Sequence, residues 1–134
     1  MRTVKGTVNS VELIGRLGAD PEMRMLSTGV GVCRFSIATS RYAGQDDQGN
    51  RQIETDWTNI ETWDRLAERC HAYLGRGKRV RITGSLRTDS WTDKESGLTR
   101  YRTFVRADDV IFLEPRPDQS ENGDESASES EPPF

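Results

Sequence analysis

Residues 53–86, IETDWTNIETWDRLAERCHAYLGRGKRVRITGSL, change their hydrophobic period twice, and the two changes decide the fold. Over 53–63 the side chains alternate. Trp57, Asn59, Glu61 and Trp63 share one parity, while Thr58, Ile60 and Thr62 share the other, which is the pattern of a strand. Over 64–74, Leu66, Cys70, Tyr73 and Leu74 fall at i, i+4, i+7 and i+8, one face of a helix. Asp64 is the expected N-cap and Gly75 the expected stop at C′. From Arg79 the alternation returns, with Val80, Ile82 and Leu86 against Arg79, Arg81, Ser85 and Arg87, so a second strand follows the helix.

Working outward, residues 8–17 read as a strand with Val11, Leu13 and Leu17 on one side, and Gly15 marks a bulge or bend within it. Gly18-Ala19-Asp20-Pro21 is a turn, 22–26 a possible short strand, and Ser27-Thr28-Gly29 the next turn. Residues 30–39 form a long strand with Cys33, Phe35 and Ile37 on one face. Ala43–Gln52 is polar, centred on Asp46-Asp47-Gln48-Gly49-Asn50, and reads as a hairpin loop. Asp93–Thr99 is a charged loop, and a last strand runs from about Arg100 to Leu113. The main order is β, β, β, α, β, β. Five strands with one helix between the third and fourth is the order of an OB-fold, an all-β, five-stranded Greek-key barrel whose face commonly binds oligonucleotides.

Charge divides the chain. Residues 1–114 hold 18 bases and 16 acids, whereas 115–134 hold six acids and one base, Arg116. The reading is a mildly basic domain over 1–114 and an acidic, disordered tail over 115–134. No apolar run approaches the length of a membrane helix, and the first residues lack a signal-peptide stretch, so the expected location is cytoplasmic. Cys33 and Cys70 lack metal-type spacing and read as reduced, buried side chains. His71 has no nucleophile or metal partner in the pattern, and Gly75-Arg76-Gly77-Lys78 lacks the spacing of a phosphate loop. No catalytic set, metal site or cofactor is expected.

The aromatic residues carry the functional signal. Trp57 and Trp63 point with the polar residues of their strand, and Trp91 keeps the parity of Arg79, Arg81, Arg87 and Asp89 if that strand extends so far. Two readings are open for them. Exposed indoles beside arginines suit base stacking and phosphate neutralisation. Alternatively, the tryptophans pack under loops or fill a subunit interface.

The stretches VNSVELIGRLGADPEMR (8–24), FSIATS (35–40), TDWTNIETWDRLAE (55–68), YLGRGKRVRITGSLRTDSWTD (73–93) and RYRT (100–103) resemble, in order and spacing, the bacterial-type single-stranded DNA-binding proteins. That resemblance implies an OB-fold, assembly as a homotetramer, no catalytic activity, and a nucleoid-associated role in replication, repair and recombination. It implies stacking on Trp57, Trp91 and Trp63, the last standing where Phe is common. Tyr42 lies near a further stacking position, out of clear register. Arg65, Arg76, Arg87 and Arg100 match basic positions and are the expected phosphate contacts. Thr58-Asn59 replaces a His-Arg pair, which removes a basic group.

The tail also resembles the family's acidic tip. Glu129, Glu131, Pro132, Pro133 and Phe134 are the residues implied to dock on genome-maintenance proteins, with Pro132 in place of the usual aliphatic. The spacer is short compared with many members, and the tail is expected to compete modestly with DNA. Two other classes remain. A protein-interaction OB module would show tryptophan fluorescence indifferent to oligo-dT. An RNA-binding domain of the cold-shock kind would bind matched RNA and DNA oligomers equally.

Overall fold

The computed structural model describes residues 3–113. The predicted tail, with Glu129, Glu131, Pro132, Pro133 and Phe134, lies outside the described residues. Within them the elements are β1 (Val11–Leu17), β2 (Glu22–Met25), β3 (Gly31–Gln45), β4 (Arg51–Trp63), α1 (Asp64–Tyr73), β5 (Arg79–Thr92) and β6 (Thr99–Phe112).

Five of the strands close a barrel in the order β1-β5-β6-β4-β3, and β1 returns to β3 through Arg16↔Ala38 and Leu17↔Ile37. The short β2 shares the same edge of β3, pairing with Gly31–Arg34. The opposite seam is a parallel contact between β4 and β6 at Ile60↔Val105 and Glu61↔Arg106. The helix falls between the third and fourth barrel strands, as the OB-fold order requires.

Inward-facing β-branched and aromatic side chains fill the barrel: Phe35 and Ile37 from β3, Ile60 from β4, Val80 and Ile82 from β5, and Val105 and Val110 from β6. Ala67 and Cys70 of α1 join them, with Leu66 and Leu74 packed at the margin. Each large apolar side chain so buried contributes about 1.5–3 kcal/mol. The thiols of Cys33 and Cys70 are buried and free. Burial raises the pKa of both, that of Cys70 to about 12, so they are inert packing groups near neutral pH.

Three local expectations change. Gly15 sits in an unbroken β1–β5 register, opposite Val80, so it marks no bulge. A Cβ there would run into the carbonyl oxygen of Ala38, and the glycine lets β1 press against β3 where the barrel closes. Asp64 makes no side-chain cap; it takes a left-handed conformation (φ 58°) where β4 turns into α1, and Trp63 is the capping residue. The polar stretch 43–52 is mostly strand. β3 and β4 pair out to Gln45↔Arg51, and the loop shrinks to 46–50. There Asp46 Oδ1 accepts from the N–H groups of Gln48 (2.9 Å) and Asn50 (2.8 Å), and Gly49 takes φ 85°. An Asx turn makes the hairpin compact, so polarity alone did not mean loop.

Candidate nucleic-acid interface

Register places the candidate residues on one outward surface, because directly paired residues share a face. On β3 and β4 the pairs are Arg34↔Glu61, Ser36↔Asn59, Ala38↔Trp57 and Tyr42↔Ile53. Glu61 pairs with Arg106 of β6 across the parallel seam. On β5 and β6 the pairs Trp91↔Arg100, Asp89↔Arg102 and Arg87↔Phe104 continue that face. Tyr42, Trp57, Trp63, Trp91, Arg87 and Arg100 therefore lie on a single curved surface running around the barrel.

Trp57 is 59% exposed and Trp91 50% exposed, so both rings stand toward solvent. The Trp57 ring lies directly over Gly18, where a Cβ would come within 2.7 Å of Cη2. Glycine at that turn thus gives the indole a flat backbone to rest on. Trp63 is half-buried at the strand end. Its Nε1–H donates to Glu61 Oε1 at 2.8 Å, and the Arg106 guanidinium lies 4.4 Å from the centre of its ring. Tyr42 is on β3, opposite Ile53 in the last pair before the register shifts toward Gln45, and is 49% exposed, with Arg51 stacked 4.5 Å from its ring centre.

The expected phosphate contacts divide into two groups. Arg87 and Arg100 are exposed on the face, and Arg100 Nη2 lies 3.4 Å from Asp93 Oδ2. Arg65 is exposed in the first turn of α1, off the sheet surface. Arg76 is in the turn after α1, and its backbone N–H donates to Asp20 Oδ1 at 2.9 Å.

An open groove of about 310 Å³ is lined by Asp20, Arg34, Phe35, Asn59, Glu61, Arg102 and Phe104 among others. Glu61, at its floor, is only 5% exposed. Arg34, Arg102 and Arg106 are cations of this surface that reading the sequence did not single out. The alternation of Arg100, Arg102, Phe104 and Arg106 in the last strand was the available signal. Arg34 shares the outward parity of Ser36 in β3. Among the described residues no group of three or more His, Cys, Asp and Glu is placed to hold a metal ion, and no helix is long and apolar enough to cross a membrane.

The sequence model of the "Single-strand binding protein family" matches residues 8–113. The chain is 38% identical over 127 residues to "Single-stranded DNA-binding protein 1" of Chlorobaculum tepidum, covering 95% of this chain and 78% of that one. It is 46% identical over 125 residues to the "Single-stranded DNA-binding protein" of Caldanaerobacter subterraneus subsp. tengcongensis, covering 92% and 78%. Among solved structures, the "Plasmodium falciparum SSB complex with ssDNA" superposes with a TM-score of 0.70 at 29% identity, covering 84% of this chain and all of that one.

Proposed function

The chain belongs to the single-strand binding protein family, and from that premise we propose that it binds single-stranded DNA without strong sequence preference. The observation that carries the proposal is the shared outward face. Two half-exposed indoles, Trp57 and Trp91, stand on it with arginines interleaved across four strands. Bases stack on Trp57, Trp63 and Trp91, and Tyr42 extends the row. Every base has a π-face, so stacking tolerates any sequence. Arg87 and Arg100 neutralise phosphates, with Arg65 and Arg76 flanking the face. Affinity then falls as salt rises, because neutralised phosphates release counterions.

The biological role is protection of exposed strands in replication, repair and recombination, in the cytoplasm and without catalysis. A homotetramer of barrels over residues 1–114 would let one strand wrap several faces and gain avidity. Residues 115–134, with Glu129, Glu131, Pro132, Pro133 and Phe134, would recruit genome-maintenance proteins through charge and an apolar anchor. A chain lacking 115–134 should bind oligo-dT more tightly at low salt, since a net −5 segment no longer competes for the arginines.

The test is competition. Labelled oligo-dT bound to the full chain is challenged with unlabelled dT of equal length, RNA of equal length, or duplex DNA. The single DNA strand should displace best. Equal displacement by duplex would remove the stacking account, and equal displacement by RNA would move the assignment to an RNA-binding module.

A further inference from the structure

A carboxylate buried in the floor of a surface that receives a polyanion runs against simple charge complementarity. Glu61 is such a group, and both of its oxygens are occupied. Oε1 accepts from Trp63 Nε1 at 2.8 Å. Oε2 accepts from Arg34 Nε at 3.0 Å and from Arg102 Nη2 at 3.5 Å. The donors come from β4, β3 and β6, so one side chain gathers three strands. It does so at the seam where β4 and β6 are paired only through Ile60↔Val105 and Glu61↔Arg106. Arg102 is further fixed by Asp89 of β5 at 3.0 Å and by stacking 4.4 Å from the Phe104 ring centre.

We infer that Glu61 is a positioning residue for the DNA-binding face, orienting the Trp63 indole and holding Arg34 and Arg102 extended across the groove. The inference rests on the DNA-binding reading above and deepens it. An indole with its N–H bonded to a carboxylate and one face under Arg106 has its ring plane set before a base arrives. An arginine already held by a carboxylate loses less rotamer freedom when a phosphate meets its remaining N–H groups. Arg34, Arg102 and Arg106 surround the two carboxylates of Glu61 and Asp89, so the cluster keeps a net positive charge and still attracts phosphate. Arg34 and Arg102 keep donors to spare, because each guanidinium carries five N–H groups.

Charge and positioning predict opposite signs for Glu61→Gln in the full-length protein. Removing an acid from a polyanion site should, on charge alone, tighten binding and steepen its salt dependence. Positioning predicts that oligo-dT binding weakens by roughly tenfold, the scale of a lost charged hydrogen bond. Glu61→Asp, which keeps the charge, should recover part of that loss. A second readout needs no DNA. With Trp57→Phe and Trp91→Phe in place, Trp63 is the sole indole, and adding E61Q should lower its fluorescence anisotropy and shift its emission.

Equal or tighter binding by E61Q, or an unchanged Trp63 signal, would overturn the inference. If a thermal melt shows E61Q unfolding at the assay temperature, Arg34→Gln decides instead. It should weaken binding, and an unchanged affinity would overturn the positioning role. Failure of the unsubstituted chain to bind oligo-dT would overturn the DNA-binding reading itself, an outcome distinct from any behaviour of E61Q.

Discussion

The roots of the two long hairpins and their arms are built from the same strands by different means. At the roots, β3 buries Cys33, Phe35 and Ile37, and β5 buries Val80 and Ile82, alternate residues packed into the barrel. Beyond Ser40 in β3 and Ser85 in β5 almost every residue is exposed. The arms are held by ladder hydrogen bonds and cross-strand pairs instead. Arg41 reaches Asp56 at 2.8 Å and Glu54 at 2.9 Å, and the hydroxyls of Thr88 and Thr103 meet at 3.1 Å. The roots therefore hold the buried apolar side chains and the arms carry exposed aromatic groups, Tyr42 on one and Trp91 on the other. A single fold thus supplies a packed barrel and two solvent-exposed extensions with few buried apolar contacts.

The largest expected effect lies at the roots. Ile82→Ala empties a fully buried site and should cost about 3 kcal/mol in denaturant unfolding. Ile53→Ala on the β3–β4 arm, where the side chain is exposed, should change stability by roughly 0.5 kcal/mol or less. Similar losses at both positions would break the distinction between root and arm.

Next comes the separation of binding from stability. Trp91→Ala should weaken oligo-dT binding by about 1–3 kcal/mol, the worth of one base–aromatic stack, with the melting temperature nearly unchanged. A melting point that falls in step with affinity would mean that Trp91 is part of the packing.

How far the sequence revealed these regions follows the same division. The strand–helix–strand of 53–86 was legible because burial imposes periodicity, two for Ile60 and Thr62 and near four for Leu66 and Cys70. The arms have no core to impose one. Residues 43–52 therefore read as loop, although Asp46 and Gly49 tighten the turn and the strands pair almost to it. The face was legible where indoles stood with polar neighbours. It was illegible at Glu61, because its meaning comes from Arg34 and Arg102 on other strands, 27 and 41 residues away. Gly18 likewise read as part of a turn, and its role as a seat for Trp57 appears only in three dimensions.

The smallest effect is at the tip of the first arm. The backbone N–H of Asn50, more than any other group, holds the Asp46 carboxyl below its ordinary pKa. A lowered folded value means that this carboxylate stabilises the turn fully above the unfolded value, about 3.9, and less as pH falls through the folded value. The amide resonances of Gln48 and Asn50 should shift in that acid window while those of Ile82 and Val110 stay in place. Movement of all four together would show the arm tip and barrel acting as one unit.

The most direct test of the central claim is intrinsic tryptophan fluorescence during titration with oligo-dT at two salt concentrations. Stacking on Trp57, Trp63 and Trp91 predicts strong quenching that saturates and weakens at the higher salt. A flat signal at both salts, with DNA in excess, would contradict the account and point to a face that docks protein.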